Sequence, residues 1–158
     1  TLYSIDDPNL QLNAYMQDNT SLYLMLNTKN SPLSTRLIPS TLDFITQNYP
    51  SVLRTQCFNP DNLSFKQEIT NTEIGHLFEH ILIQILIETH TKLRSHISLD
   101  IDGRTSWNWT KESPGIFHIQ ISNLSSFTST DIQNAITSTY QLTQKILSLN
   151  KTAAINLN

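Results

Sequence analysis

The chain has 158 residues and a formal net charge of −3, and its 10 Lys and Arg residues form no basic cluster. That length suits one domain with its own core, and the missing basic footprint argues against nucleic acid as a partner. No run of about 18 apolar residues occurs, so no membrane-spanning helix is expected; a start without a charged-then-apolar pattern and a lone Cys57 fit a reducing cytoplasm.

In chain order, residues 9–16 read as a strand, Asp18-Asn19-Thr20 as a turn, and residues 21–27 as a second strand with alternating apolar side chains. Together they predict a hairpin. Residues 28–39 are polar, contain Pro32 and Pro39, and read as a connection. A short helix is expected over residues 40–48, with Leu42, Phe44 and Ile45 on one side and Pro50 ending it. Residues 51–69 read as irregular, with a turn at Asn59-Pro60-Asp61-Asn62. Cys57, in this segment, reads as a small buried hydrophobe.

The next stretch, TNTEIGHLFEHILIQILI over residues 70–87, carries the chemistry. Thr70 and Glu73 have the spacing of a capping box, which predicts a helix over residues 71–93. On it His76 and His80 are i,i+4 and Glu79 lies i+3 from His76, so all three share one face. Two imidazoles on adjacent turns can grip one metal ion, and a neighbouring carboxylate can accept a proton from water. That is the H-x-x-E-H arrangement of the inverted zinc peptidases. The competing reading of the same residues is a polar helix end in contact with solvent. Residues 81–87 are apolar nearly all round, which buries the helix on several sides.

Beyond the helix, residues 97–102 alternate as a half-buried strand with Asp100 and Asp102 on its solvated face, and Gly103 reads as a turn. Arg104 is a turn residue or a substrate contact. Trp107-Asn108-Trp109 sits in a polar loop closed by Pro114-Gly115, and residues 116–122 alternate again. Ser129 or Thr130 is expected to cap a last helix over residues 131–149, with an inward stripe that includes Ile132, Ile136, Tyr140 and Ile146. The order β-β-α-α-β-β-α predicts an α+β fold in a single domain over residues 1–158, with a mainly antiparallel sheet and helices packed on one face.

With these residues laid out, the chain resembles the N-terminal domain of cyanophycin synthetase. Ile38-Pro39 and Tyr49-Pro50-Ser51-Val52-Leu53 are similar to the start and end of that family's first helix, and Cys57 falls where the family has a Cys. Gly75-His76-Leu77-Phe78-Glu79-His80-Ile81 resembles its Gly-His-x-x-Glu-His-Val helix. Gly103-Arg104-Thr105 matches its Gly-Arg/Lys-Thr turn, and Pro114-Gly115-Ile116-Phe117 its Pro-Gly-Val/Ile-Tyr strand start. The family's ligase domains and any Gly-rich phosphate loop are missing from the sequence, so synthetase activity is not expected of this chain by itself.

The resemblance implies a layout related to pitrilysin-type metallopeptidases, with zinc on His76 and His80 and Glu79 as general base. A catalytic zinc takes three protein ligands and a water. By the resemblance the third would be a Glu late in the strand after Pro114-Gly115, where Ser122 stands here. His118 lies on the same strand face as Ser122 and is a substitute ligand. Two functions follow. One is a zinc-dependent peptidase-like hydrolase acting on cyanophycin, a polyaspartate carrying arginine on its side chains, or on a related chain, with Arg104 against the substrate. The other is a catalytically inactive binding or scaffold domain of cyanophycin metabolism, which holds such a polymer or a partner enzyme and has lost the third ligand.

Overall fold

The structure is a computed structural model, and it describes residues 2–58, 63–93 and 99–155. Five strands, β1 (Tyr3–Asp6), β2 (Gln11–Met16), β3 (Leu22–Asn27), β4 (Asp102–Ser106) and β5 (Ile116–Ser122), form one antiparallel sheet in the order β1-β2-β3-β5-β4. Alternation divides its two faces. Leu12, Ala14, Leu22, Leu24, Leu26, Phe117, Ile119 and Ile121 point inward and are buried, while Asn13, Tyr15, Tyr23, His118 and Gln120 take the other face. The helices α1 (Thr41–Asn48), α2 (Phe65–Glu68), α3 (Ile74–Leu93) and α4 (Ser129–Ile155) cover the apolar face. The fold is therefore α+β, with an antiparallel sheet under helices, as the element order predicts. Among the described residues, no helix is long and apolar enough to cross a membrane.

α3 is the centre of the core. Ile74, Leu77, Phe78, Ile81, Leu82 and Leu86 are all fully buried, between the β4–β5 end of the sheet and α4. Burial on several sides fits its apolar second half. α4 turns Ile132, Ala135, Ile136, Tyr140 and Ile146 inward, and its buried Thr139 and Thr143 hydroxyls donate to the carbonyls one turn back, so neither is left unsatisfied.

Several boundaries differ from those the sequence predicts. β1 is an added edge strand, turned onto β2 by Asp7, whose carboxylate accepts the Asn9 and Leu10 amides. Four residues carry too little periodicity to announce it. α3 begins at Ile74 because the expected box does not close. The Thr70 hydroxyl donates to the Gln67 carbonyl, and Glu73 forms a bridge with Ser34. α4 begins at Ser129, capped by Thr128, whose Oγ1 accepts the Asp131 amide while the Asp131 carboxylate accepts the Thr128 amide. The segment after α1 is not wholly irregular: a 3-10 turn spans Pro50–Arg54, and α2 follows with Gln67 Oε1 accepting the Ser64 amide. The turn expected at residues 59–62 lies outside the described residues.

The strand predicted at residues 97–102 is displaced. Residues 97 and 98 lie outside the described residues, 99–101 are not in a strand, and β4 runs Asp102–Ser106 with Gly103 inside it. Gly103 is there for closeness. A Cβ on it would stand 2.5 Å from Ile83 Cδ1 and 2.8 Å from Glu79 Oε1, so any larger residue would displace the ends of these two α3 side chains, Glu79 among them. In the loop between β4 and β5, Trp109 donates its indole N–H to the Ile116 carbonyl and packs edge-on against Phe117. It is a tucked-in anchor, and Trp107 beside it is partly exposed.

Candidate metal centre and its cleft

The first turns of α3 put His76, Glu79 and His80 into one cleft of about 610 Å³, walled by β4 on one side and by residues 54–58 on the other. His76 Nε2 and His80 Nε2 are 3.1 Å apart. The i,i+4 pair therefore meets head-on, as the helical spacing predicts.

The third member is Cys57. Its Sγ lies 3.6 Å from His76 Nε2, and one donor atom from each of Cys57, His76 and His80 falls within 4.8 Å of the others. A tetrahedral site built with Zn–N near 2.05 Å and Zn–S near 2.3 Å separates two imidazole nitrogens by about 3.4 Å and a sulfur from a nitrogen by about 3.6 Å. The His76–His80 and Cys57–His76 separations lie within a few tenths of an ångström of that donor set. The reading of Cys57 as a small buried hydrophobe is thus corrected: it is half-buried and faces the histidine pair.

The surrounding residues fix how these groups point. The Thr55 hydroxyl donates to the Val52 carbonyl at 2.7 Å, so at 2.7 Å from His80 Nδ1 it accepts that nitrogen's proton. This sets the tautomer with the proton on Nδ1 and a lone pair on His80 Nε2. Two facing ring nitrogens, one of them a bare acceptor, require a proton or a cation between them. Phe65, from α2, stacks on the His80 ring with centroids 3.7 Å apart and an interplanar angle of 11°. Glu68, from the same short helix, accepts the Cys57 thiol at 2.8 Å and lies 3.6 Å from His76 Nδ1, which also meets the Thr72 hydroxyl at 2.9 Å. Oriented histidines with outer hydrogen-bond partners are what metal sites use.

Burial dominates the electrostatics. It pushes His80 down to about 3, with His76 adding to the effect, and it lowers His76 against the pull of Glu68 and Glu73. Both rings are therefore neutral near pH 7, the state that ligates. Burial also raises Glu79 to about 7, although the Thr105 hydroxyl, from β4, donates to its Oε2 and works the other way. A carboxyl poised near neutrality can exchange a proton there.

Other expected residues fall elsewhere. His118 is not brought to the pair. The parity of β5 turns Phe117 and Ile119 toward α3, so His118 faces out, with Nε2 2.7 Å from Glu112 and Nδ1 against the Tyr23 hydroxyl. Ser122 shares that outer face, so no β5 side chain on the His118–Ser122 parity reaches the site. Arg104, Asp100 and Asp102 do line the cleft.

Thr55, Phe65, Glu68 and Thr105 were not anticipated from sequence. One signal was legible: Ser64-x-x-Gln67 has the spacing of a helix start and announces α2. No protein-family model matches this chain, and no curated protein matches it. The site is read from its own geometry.

Proposed function

We propose that the chain is a metal-dependent hydrolase of peptide-like polymers, with Cys57, His76 and His80 as metal ligands and Glu79 as proton acceptor. The observation that carries this reading is the convergence of one sulfur and two imidazole nitrogens in a cleft that Glu79 also lines. With its proton passed to the Glu68 carboxylate that already accepts it, Cys57 would be a thiolate; one thiolate with two imidazoles suits zinc, and three protein ligands leave a fourth position open. When bound, such an ion supplies Lewis-acid polarisation of a carbonyl and a lowered pKa for water. The chain's own part is to hold its histidines neutral and oriented through Thr55, Thr72 and Phe65. Thr105 holds Glu79 Oε2, and Oε1 lies against Gly103 of the same strand, at the side of the cleft.

The resemblance of the α3 motif and of Gly103-Arg104-Thr105 to the cyanophycin synthetase N-terminal domain makes cyanophycin, or a related arginyl-polyaspartate, the substrate of this reading and the cytoplasm its setting. Arg54 and Asp100 line the cleft, and Arg104 and Asp102 stand at its β4 rim on the outer face of the sheet, so both charge signs lie beside it and complement a polymer that carries both. One observation favours a non-catalytic binding module instead: the Glu79 carboxyl is tied to β4 and is not among the three clustered donors.

The test is zinc content in protein purified without chelator, paired with hydrolysis of cyanophycin. The hydrolase reading expects near-stoichiometric zinc in the wild type and in Glu79→Gln, none in His76→Ala, and turnover in the wild type alone. Zinc without turnover would leave the binding module. No zinc even after metal is added back would retire the site.

A further inference from the structure

We infer that Cys57 is an oxidation site: a hydroperoxide converts its sulfur to the sulfenic acid, the metal centre loses one of its donors, and the hydrolase is off until a thiol reduces Cys57. This rests on the hydrolase reading and adds to it the regulation of the same centre.

The three clustered donors differ in their chemistry. His76 and His80 contribute imidazole nitrogens from α3, whereas Cys57 contributes a sulfur, the donor that a mild oxidant changes. Glu68 and Glu79 are not among the donors that meet there, so among the described residues no carboxylate stands ready to replace it.

The sulfur is also within reach. Cys57 is half-buried and belongs to the wall of the cleft formed by residues 54–58, outside any helix or strand. A hydroperoxide is small beside a cleft of about 610 Å³. Ligation needs the thiolate, which is the form that a peroxide oxidises.

In the step itself the sulfur attacks one peroxide oxygen, and an S–O bond forms as the O–O bond breaks. The leaving hydroxide or alkoxide takes a proton from water. Sulfur gives up two electrons and the peroxide gains them. The oxidised sulfur no longer offers a soft thiolate charge, which leaves two imidazoles where a catalytic zinc takes three protein ligands.

The same geometry makes the change reversible. The chain holds one cysteine, so no second thiol of its own closes a disulfide on the sulfenic acid. An external thiol bonds to the Cys57 sulfur and the oxygen leaves as water; a second thiol then takes over the mixed disulfide and frees Cys57. Thr55, two residues before Cys57, keeps its bond to His80, and Thr72 keeps His76. The nitrogen donors therefore stay in place for reloading.

The experiment uses the zinc-loaded full chain with hydrogen peroxide as probe. Released zinc is read with a chromogenic chelator. On a parallel sample, dimedone trapping and peptide mapping count sulfenic acid at Cys57, with oxygen on Met16 and Met25 read separately. Zinc should leave mole for mole with the Cys57 sulfenic acid, and glutathione followed by added zinc should restore the full complement. Cys57→Asp, which keeps an anionic donor that peroxide leaves alone, should hold its zinc through the same treatment; if that variant takes up no metal, the wild-type proportion decides. Zinc retained with Cys57 oxidised, zinc lost with Cys57 intact, or zinc that no thiol restores overturns the inference. Zinc-loaded protein that keeps both metal and thiol under peroxide loses this regulation and keeps the hydrolase reading. Protein that takes up no zinc before any oxidant is added retires both.

Discussion

Thr55 shows how a single hydroxyl prepares a site. Its one proton is committed to the Val52 carbonyl, so it can only accept from His80, and the lone pair of His80 Nε2 is thereby aimed at His76 and Cys57. Thr55→Val keeps the shape and removes the acceptor. We expect it to weaken metal affinity by about 10–100-fold with little change in stability, as outer hydrogen-bond partners of ligating histidines do. Titration against a chelator of known affinity measures this. An unchanged affinity would show that ring stacking on Phe65 alone orients His80.

At the scale of elements, the placement of the site depends on how closely α3 lies on the sheet. Gly75, beside His76, has the Phe117 ring against it: an added Cβ would stand 2.4 Å from Phe117 Cγ. Phe117 is fully buried on β5 and has no room to yield. Gly75→Ala should therefore cost about 1–3 kcal/mol through overpacking, even though alanine favours a helix by about 1 kcal/mol over glycine. Urea unfolding checks this. A stabilised variant would mean that the two elements can separate without penalty, and that the glycine serves some other end.

Over the whole molecule, the two ends of the described chain are fastened together. Tyr140 and Gln144 of α4 donate to the Asp7 carboxylate, which also accepts the Asn9 and Leu10 amides. Burial alone would raise the pKa of Asp7, but the bonds from Tyr140, Asn9, Leu10 and Gln144 outweigh it and the net shift is downward. A carboxyl lowered on folding contributes stability that is present above its unfolded value of about 3.9 and is lost as the pH falls through its folded value. Tyr140→Phe should thus lose about 1–2 kcal/mol at pH 7, and the gap to the wild type should narrow below about pH 4. Unfolding curves across that range decide it. A gap that stays constant with pH would assign the loss to packing alone.

Local pattern by itself determined the hairpin of β2 and β3, the helices α1, α3 and α4, the α+β class and the shared face of His76, Glu79 and His80, because each rests on a period of 2 or 3.6 within one segment. The tertiary structure decided the rest. β1 became a strand only through its pairing with β2, and Gly103 entered a strand through its pairing with Ile121 of β5. The third donor came from Cys57, 19 residues before His76, through the turns that fold residues 50–68 over the start of α3. His118 was excluded by the parity of β5. Spacing within one element is written in the sequence, but which side chains of different elements meet depends on packing that no single segment contains.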